Sequence, residues 1–281
     1  MNKRLGTTLL ILLGLCGCNA QTNTNAFPRT DDPDLAYVTR NGDNYGKSGI
    51  NHNYESMCRP FSKDRLEEAL ANGRPLFLFL FSDSCSHCRE AHNDLTNFFL
   101  SSSIEVEGVS FTSVTTPQVA AELTSFIVEY PALEQTITTS FVTPSIFLIK
   151  NEQKALNLQF LEQRESLQNL FDFFKGFMNF TYVYTFHSYD SFASFYKDND
   201  CLVYVDDESD EPKTPFYDIL YPEAIHSDKF TAHIEWEYVS EEDRAKFSAL
   251  LPGKVYEAKK GELSPIPSST ITPEWAKAYY R

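Results

Sequence analysis

Four consecutive residues, Cys85-Ser86-His87-Cys88, are the part of this 281-residue chain best equipped for chemistry. The thiolate form of cysteine attacks disulfide sulfur, and a second thiol three positions on can attack the resulting mixed disulfide and close a small ring. Such a pair works best with one sulfur held as an anion. The unpaired N–H groups at a helix start favour an anion there, and His87 adds a cation close by. In that frame Cys85 is the exposed attacking thiol. Cys88, one turn further in, is the resolving thiol, and Ser86 and His87 support the pair.

The flanking sequence supplies the frame. Leu76-Phe-Leu-Phe-Leu-Phe81 is apolar at every position, which marks a central strand covered on both faces. Ser82-Asp83-Ser84 ends it, and Ala91, Leu95, Phe98 and Phe99 then form a helical stripe. The two cysteines therefore fall at a strand-to-helix turn. Upstream, Ser62 is an N-cap for a helix presenting Leu66, Ala69 and Leu70, stopped by Asn72-Gly73. Downstream, the pattern predicts a strand over 108–114, a helix over 117–130 and a short helix and loop over 131–140. Thr143-Pro144 then precedes an apolar strand, Ser145–Lys150. A polar turn leads to an alternating edge strand over 155–160, and an amphipathic helix runs over 166–177.

This order resembles the thioredoxin fold over residues 60–178. Three features carry the resemblance together: the apolar strand 76–81, the Cys85-to-Cys88 motif, and Thr143-Pro144 before a strand and turn. The resemblance implies that Pro144 is cis and faces the cysteine pair, and that the backbone of Thr143 pairs with a client strand. It also implies thiol–disulfide exchange in which the motif is itself the redox centre, so no cofactor is required. Two departures from thioredoxin matter. Ser86-His87 stands in place of Gly-Pro, similar to Dsb-type periplasmic oxidants, and Phe79 stands in place of a buried acid. Both point toward an oxidase or isomerase rather than a reductase. Thr before the proline resembles the disulfide isomerase branch.

From residue 180 the pattern restarts. Strands are predicted over 181–186, 201–205 and 230–239, and helices over 188–196, 214–225, 240–251 and 274–280. Pro252-Gly-Lys-Val-Tyr resembles the thioredoxin proline and its strand. The acidic run Asp206–Glu211 stands where a C-x-x-C would follow the strand, so this unit resembles a redox-inactive thioredoxin-like domain that holds or orients client protein. The expected class is α/β: a thioredoxin-like domain with C-x-x-C, then a second one without it.

The N-terminus gives an address. A basic Lys3-Arg4 precedes an apolar run from Leu5 to Leu15, the plan of a secretory signal and shorter than a membrane span. Leu15-Cys16-Gly17-Cys18 resembles the lipobox of bacterial lipoproteins, which implies lipidation of Cys18; plain secretion with cleavage after Ala20 is the alternative. The expected layout is a signal peptide over 1–17, a lipid anchor and flexible linker over 18–57, a redox domain over 58–178 and a second domain over 180–281. The linker reading rests on residues rich in Asn, Thr, Asp and Gly without apolar periodicity.

The formal charge is −15, and removal of Lys3 and Arg4 takes it to −17; nucleic acid is therefore not an expected partner. Expected partners are exported proteins or peptides carrying thiols or disulfides, the membrane through the anchor, and a membrane redox partner. Two other readings stay open: an accessory protein that matures one exported peptide such as a bacteriocin, and a non-catalytic binding lipoprotein. Cys201 opens an apolar strand and reads as a structural thiol. Cys58 is left without an assigned role; pairing with Cys201 is one option. Zinc on Cys85, Cys88, Cys58 and His52 does not fit a usual spacing, and no metal is expected.

Overall fold

A computed structural model describes residues 35–47, 52–111, 116–138, 142–158, 174, 176–207 and 216–281. In chain order the elements are β1 (Ala36–Asn41), α1 (Tyr54–Met57), β2 (Arg59–Pro60), α2 (Lys63–Ala71), β3 (Leu76–Phe81), α3 (Ser86–Glu90), α4 (His92–Ser102) and β4 (Val106–Ser110). Then come α5 (Thr116–Glu129), α6 (Pro131–Thr138), β5 (Ser145–Asn151), β6 (Lys154–Asn157), β7 (Met178–Phe186), α7 (Tyr189–Asp198) and β8 (Cys201–Val205). A π-helical turn over Phe216–Leu220 leads into α8 (Tyr221–Ala224), followed by β9 (Phe230–Ile234), α9 (Glu241–Lys246), β10 (Lys254–Lys259), β11 (Glu262–Ile266) and α10 (Pro273–Tyr280).

These elements build two sheets. One has the order β2-β4-β3-β5-β6 and the other β1-β7-β9-β8-β10-β11. In the first, β2, β4 and β3 are parallel while β5 and β6 run antiparallel. The second repeats that order from β7, with β7, β9 and β8 parallel and β10 and β11 antiparallel. Both are thioredoxin-like sheets.

The strand pattern explains the layers. β3 is buried at every position. Its three phenylalanines face the layer holding Cys88, Ala91, Leu95, Phe98 and Phe99, and its three leucines face Leu66, Leu70, Leu123 and Phe126 from α2 and α5. Period-two geometry sends alternate side chains to opposite faces, so a strand apolar throughout fits only between two covered faces. Ser62 caps α2 by accepting the Arg65 N–H at 3.3 Å. Gly73, at φ +65°, makes the left-handed turn after it.

Several expectations change. Residues 36–41, taken as linker, form an edge strand parallel to β7, with a bulge between Val38 and Arg40. Thr39, Arg40 and Asn41 are buried polar residues, so the strand carries no alternation to read. Arg40 donates to Thr181 O at 2.8 Å and Ser102 O at 3.0 Å, and Thr39 donates to Glu105 at 2.5 Å. The chain thus joins the second sheet before it enters the first. Residues 54–57, also taken as linker, form α1, capped by Asn53. The strand expected over 230–239 stops at Ile234, because Glu235 turns inward and 236–238 form a 3-10 turn. Among the described residues the cis peptide is Thr143–Pro144, so Pro252 does not repeat that feature. The signal, Cys16, Cys18 and nearly all of the helix expected over 166–177 lie outside the described residues.

The two units meet through charge. Arg59, Arg74 and Glu105 lie at or just before the N-terminal ends of β2, β3 and β4; His187 and Glu235 follow the C-terminal ends of β7 and β9. Arg74 Nη1 lies 2.5 Å from Glu235 and 3.2 Å from Glu105; Arg59 Nη1 lies 3.0 Å and 2.9 Å from the same two. His187 joins Asp43 through Nδ1 at 3.1 Å and Glu235 through Nε2 at 2.7 Å. A ring donating at both nitrogens is the imidazolium. Burial and Arg59 oppose that charge, yet the two carboxylates raise the His187 pKa above its ordinary value. Against burial, Arg74 and Arg59 hold Glu235 well below the usual carboxylate range.

Candidate functional site

Cys85 is the N-cap of α3, with extended backbone (φ −77°, ψ 122°). Its Sγ accepts the Cys88 N–H at 3.2 Å. The turn that holds it is tied down on both sides: Cys85 N–H donates to Ser82 O at 3.1 Å, and Arg89 donates to Asp83 O at 3.0 Å. Ser82 Oγ in turn donates to Phe111 O at 2.9 Å, fixing the turn to the end of the neighbouring strand.

The Thr143–Pro144 peptide is cis, and the Cys85 thiol donates to Thr143 O at 3.1 Å. Pro144 is buried, Thr143 half-buried and Val142 61% exposed. The structure thus brings Cys85, Cys88, Thr143 and Pro144 together at the C-terminal end of β3. Ser86 and His87 occupy the exposed first turn of α3, and His87 pairs with Glu90 at 3.2 Å rather than with sulfur.

Electrostatics divide the two thiols. Burial pushes Cys85 up, but hydrogen bonds from the Thr143 side chain, from the Cys88 thiol and from the N–H groups of Cys88 and His87 outweigh it, so its pKa falls below the ordinary thiol value. Cys88 is 1% exposed. Burial, and its hydrogen bond to Cys85, push its pKa up to about 11. One sulfur is therefore a half-exposed nucleophile and the other a protonated thiol directly behind it. Both are free thiols in this structure. Thiolate attack followed by internal displacement is the chemistry this pair can perform.

The sequence pattern missed Tyr54. Its OH donates to Cys88 O at 2.5 Å, and its ring packs edge-on to Phe79 at 5.0 Å and against His92 at 5.0 Å. The available signal was Asn53, a helix cap followed by Tyr-Glu-Ser-Met. A single helix carrying the cysteines on its first turn was expected; it breaks at Ala91, the C-cap of α3 and N-cap of α4.

Cys58 and Cys201 are buried free thiols in separate cores, so the pairing between them is not formed. Burial pushes both up, Cys201 to about 12. Among the described residues no group of three His, Cys, Asp or Glu side chains is arranged to hold a metal ion, and no helix is long and apolar enough to cross a membrane.

No family model matches the chain, and no curated protein does. Among solved structures it is similar to the J-Trx1 fragment of ERdj5, with 15% identity over 42% of this chain and 48% of that one, at a TM-score of 0.28. It is also similar to human ERp44, with 8% identity over 79% of this chain and 55% of that one, at 0.27. For Trxlp from Edwardsiella tarda the values are 19% identity, 41% of this chain, 94% of that one and 0.26. The chain spans about half the length of the first two, 48% and 55%.

Proposed function

We propose that this chain is a membrane-anchored, extracytoplasmic thiol–disulfide oxidoreductase, an oxidase or isomerase of exported proteins, with Cys85 as nucleophile and Cys88 as resolving thiol. The observation that carries the reading is the placement of a half-exposed Cys85 sulfur between the Cys88 N–H at 3.2 Å and Thr143 O at 3.1 Å, with a buried thiol behind it.

The Cys85 thiolate attacks a client disulfide. A Cys85–client S–S bond forms, the client's own S–S bond breaks, and the second client sulfur leaves as a thiolate. Cys88 then attacks Cys85 Sγ, which releases the first client sulfur and leaves a Cys85–Cys88 disulfide. Run in reverse, the same steps introduce a disulfide into a client dithiol. Electrons reside on the two sulfurs, so no small organic cofactor is needed; a membrane redox partner resets the pair. The Thr143–Pro144 backbone aligns the client as an added strand, and lipidation at Cys18 supplies the anchor.

Cys85→Ser should abolish exchange, while Cys88→Ser should accumulate mixed disulfides with exported clients, read by diagonal electrophoresis. Normal exchange by the Cys85 variant removes the mechanism. A reduction potential between about −120 and −180 mV supports the oxidising direction, and one near −270 mV overturns it.

A further inference from the structure

Resolution by Cys88 needs a proton acceptor, because the thiolate attacks and the thiol does not. β3 supplies none: Phe79 and Phe81, on the face toward Cys88, are hydrocarbon and fully buried. A pocket of about 290 Å³ opens onto Cys88 instead, walled in part by Tyr54, Glu55, Ser82, Asp83 and His92. Three of these side chains can take a proton.

The surroundings single out the histidine. His92 lies one turn beyond Cys88, at the start of α4. Its Nδ1 faces Asn93 Oδ1 at 3.4 Å. An amide oxygen only accepts, so in the tautomer that donates from Nδ1 to it, Nε2 is the nitrogen able to accept. The Tyr54 ring lies 5.0 Å from the His92 ring while its hydroxyl holds the Cys88 carbonyl at 2.5 Å. One tyrosine thus ties the orientation of the imidazole to the backbone of the resolving cysteine. Glu55 is exposed and Asp83 lies on an exposed turn, with only its backbone carbonyl engaged by Arg89. Imidazole is also the side chain most often used as a general base.

We propose that His92, oriented by Tyr54, accepts the Cys88 proton across this pocket during resolution and returns it when the disulfide is reopened. The inference rests on the oxidoreductase reading above. The proton passes from Cys88 Sγ to His92 Nε2, solvent in the pocket bridging them. The sulfur electron pair forms the Cys85–Cys88 bond, and the departing client thiolate takes up a proton in turn. Reopening runs the transfer backwards, with His92 as the acid.

The test uses the full-length reduced protein and an aromatic disulfide whose thiolate is coloured. A first release of colour marks the mixed disulfide on Cys85, and a second marks its resolution by Cys88. His92→Gln should leave the first release unchanged and slow the second on the order of 100-fold near neutral pH. The second release should then climb with pH as Cys88 itself ionises. His92→Glu should restore much of the rate. Tyr54→Phe, which keeps the ring, should slow the second release alone. An unchanged second release in His92→Gln overturns the proposal, as does equal slowing of both releases, or slowing by Glu55→Gln in its place. If the wild-type chain gives no second release, the oxidoreductase reading itself has failed.

Discussion

Replacement of Arg74 by Met tests how the two units are held together. Arg74 is 1% exposed, and its Nη1 serves Glu235 at 2.5 Å and Glu105 at 3.2 Å. Removing one member of a buried ion set costs about 3–5 kcal/mol, mostly because the remaining charge stays buried without its partner. Here each carboxylate keeps other contacts. Glu235 retains Arg59 at 3.0 Å and His187 at 2.7 Å; Glu105 retains Arg59 at 2.9 Å and Thr39 at 2.5 Å. The loss should therefore fall at the lower end, about 3 kcal/mol, or roughly two decades in the folding constant. Urea unfolding followed by tryptophan fluorescence suits the measurement, since Trp236 adjoins Glu235. Glu235→Gln should cost a similar amount. The double variant should cost less than the sum of the two by about 1–3 kcal/mol, as expected for contacting groups. Alkylation of Cys85 should be unchanged, because Arg74 and Cys85 lie at opposite ends of β3, roughly 20 Å of strand apart. A loss below about 1 kcal/mol, or strict additivity in the double variant, would refute the account.

Two further outcomes follow from titration. The raised pKa of His187 means that its contribution to stability is fully present below the ordinary value of 6.5 and is lost as pH rises through the folded value. Urea midpoints should therefore decline as pH rises above the ordinary histidine value of 6.5, and His187→Gln should flatten that decline; an unchanged slope in the variant counts against the imidazolium. At the cysteine pair, peptide-resolved alkylation of the reduced protein should show Cys85 reacting with an inflection below the ordinary thiol value of 9.0, and Cys88 lagging toward about 11. Coincident profiles for the two thiols would show that their environments do not separate them.

What the sequence made legible was what apolar patterning encodes. β3 could be read because all six of its positions are buried against hydrocarbon, and the turn after it could be read because Ser82-Asp83-Ser84 breaks the run. The cysteine spacing and Thr143-Pro144 then located one end of that sheet. The rest was hidden where charge rather than hydrocarbon fills the interior. β1 was missed because Thr39, Arg40 and Asn41 are buried by hydrogen bonds that reach across the two units. The strand expected over 108–114 lies at Val106–Ser110, since Glu105 and Glu107 are buried in ion pairs that no hydrophobic window counts. Tyr54 was missed for a different reason: α1 has four residues, too few for a helical stripe.

The charged junction also accounts for the asymmetry between two similar sheets. In open α/β sheets ligands collect outside the C-terminal ends of the strands. In the first unit that end is accessible and carries Cys85. In the second unit it is taken: Glu235, just past β9 and held by His187 just past β7, binds Arg59 and Arg74 at the opposite end of the first sheet, and Tyr238 reaches Glu68 at 3.2 Å. The residue after β8, where the first unit begins its turn toward the cysteines, is Asp206, 8% exposed, with its N–H donated to Ile234 O at 2.8 Å. A cysteine pair built there would face the first unit instead of solvent. The same contacts leave the cysteine-bearing end of the first sheet at the opposite end of its strands from the junction, where Cys85 stays half-exposed.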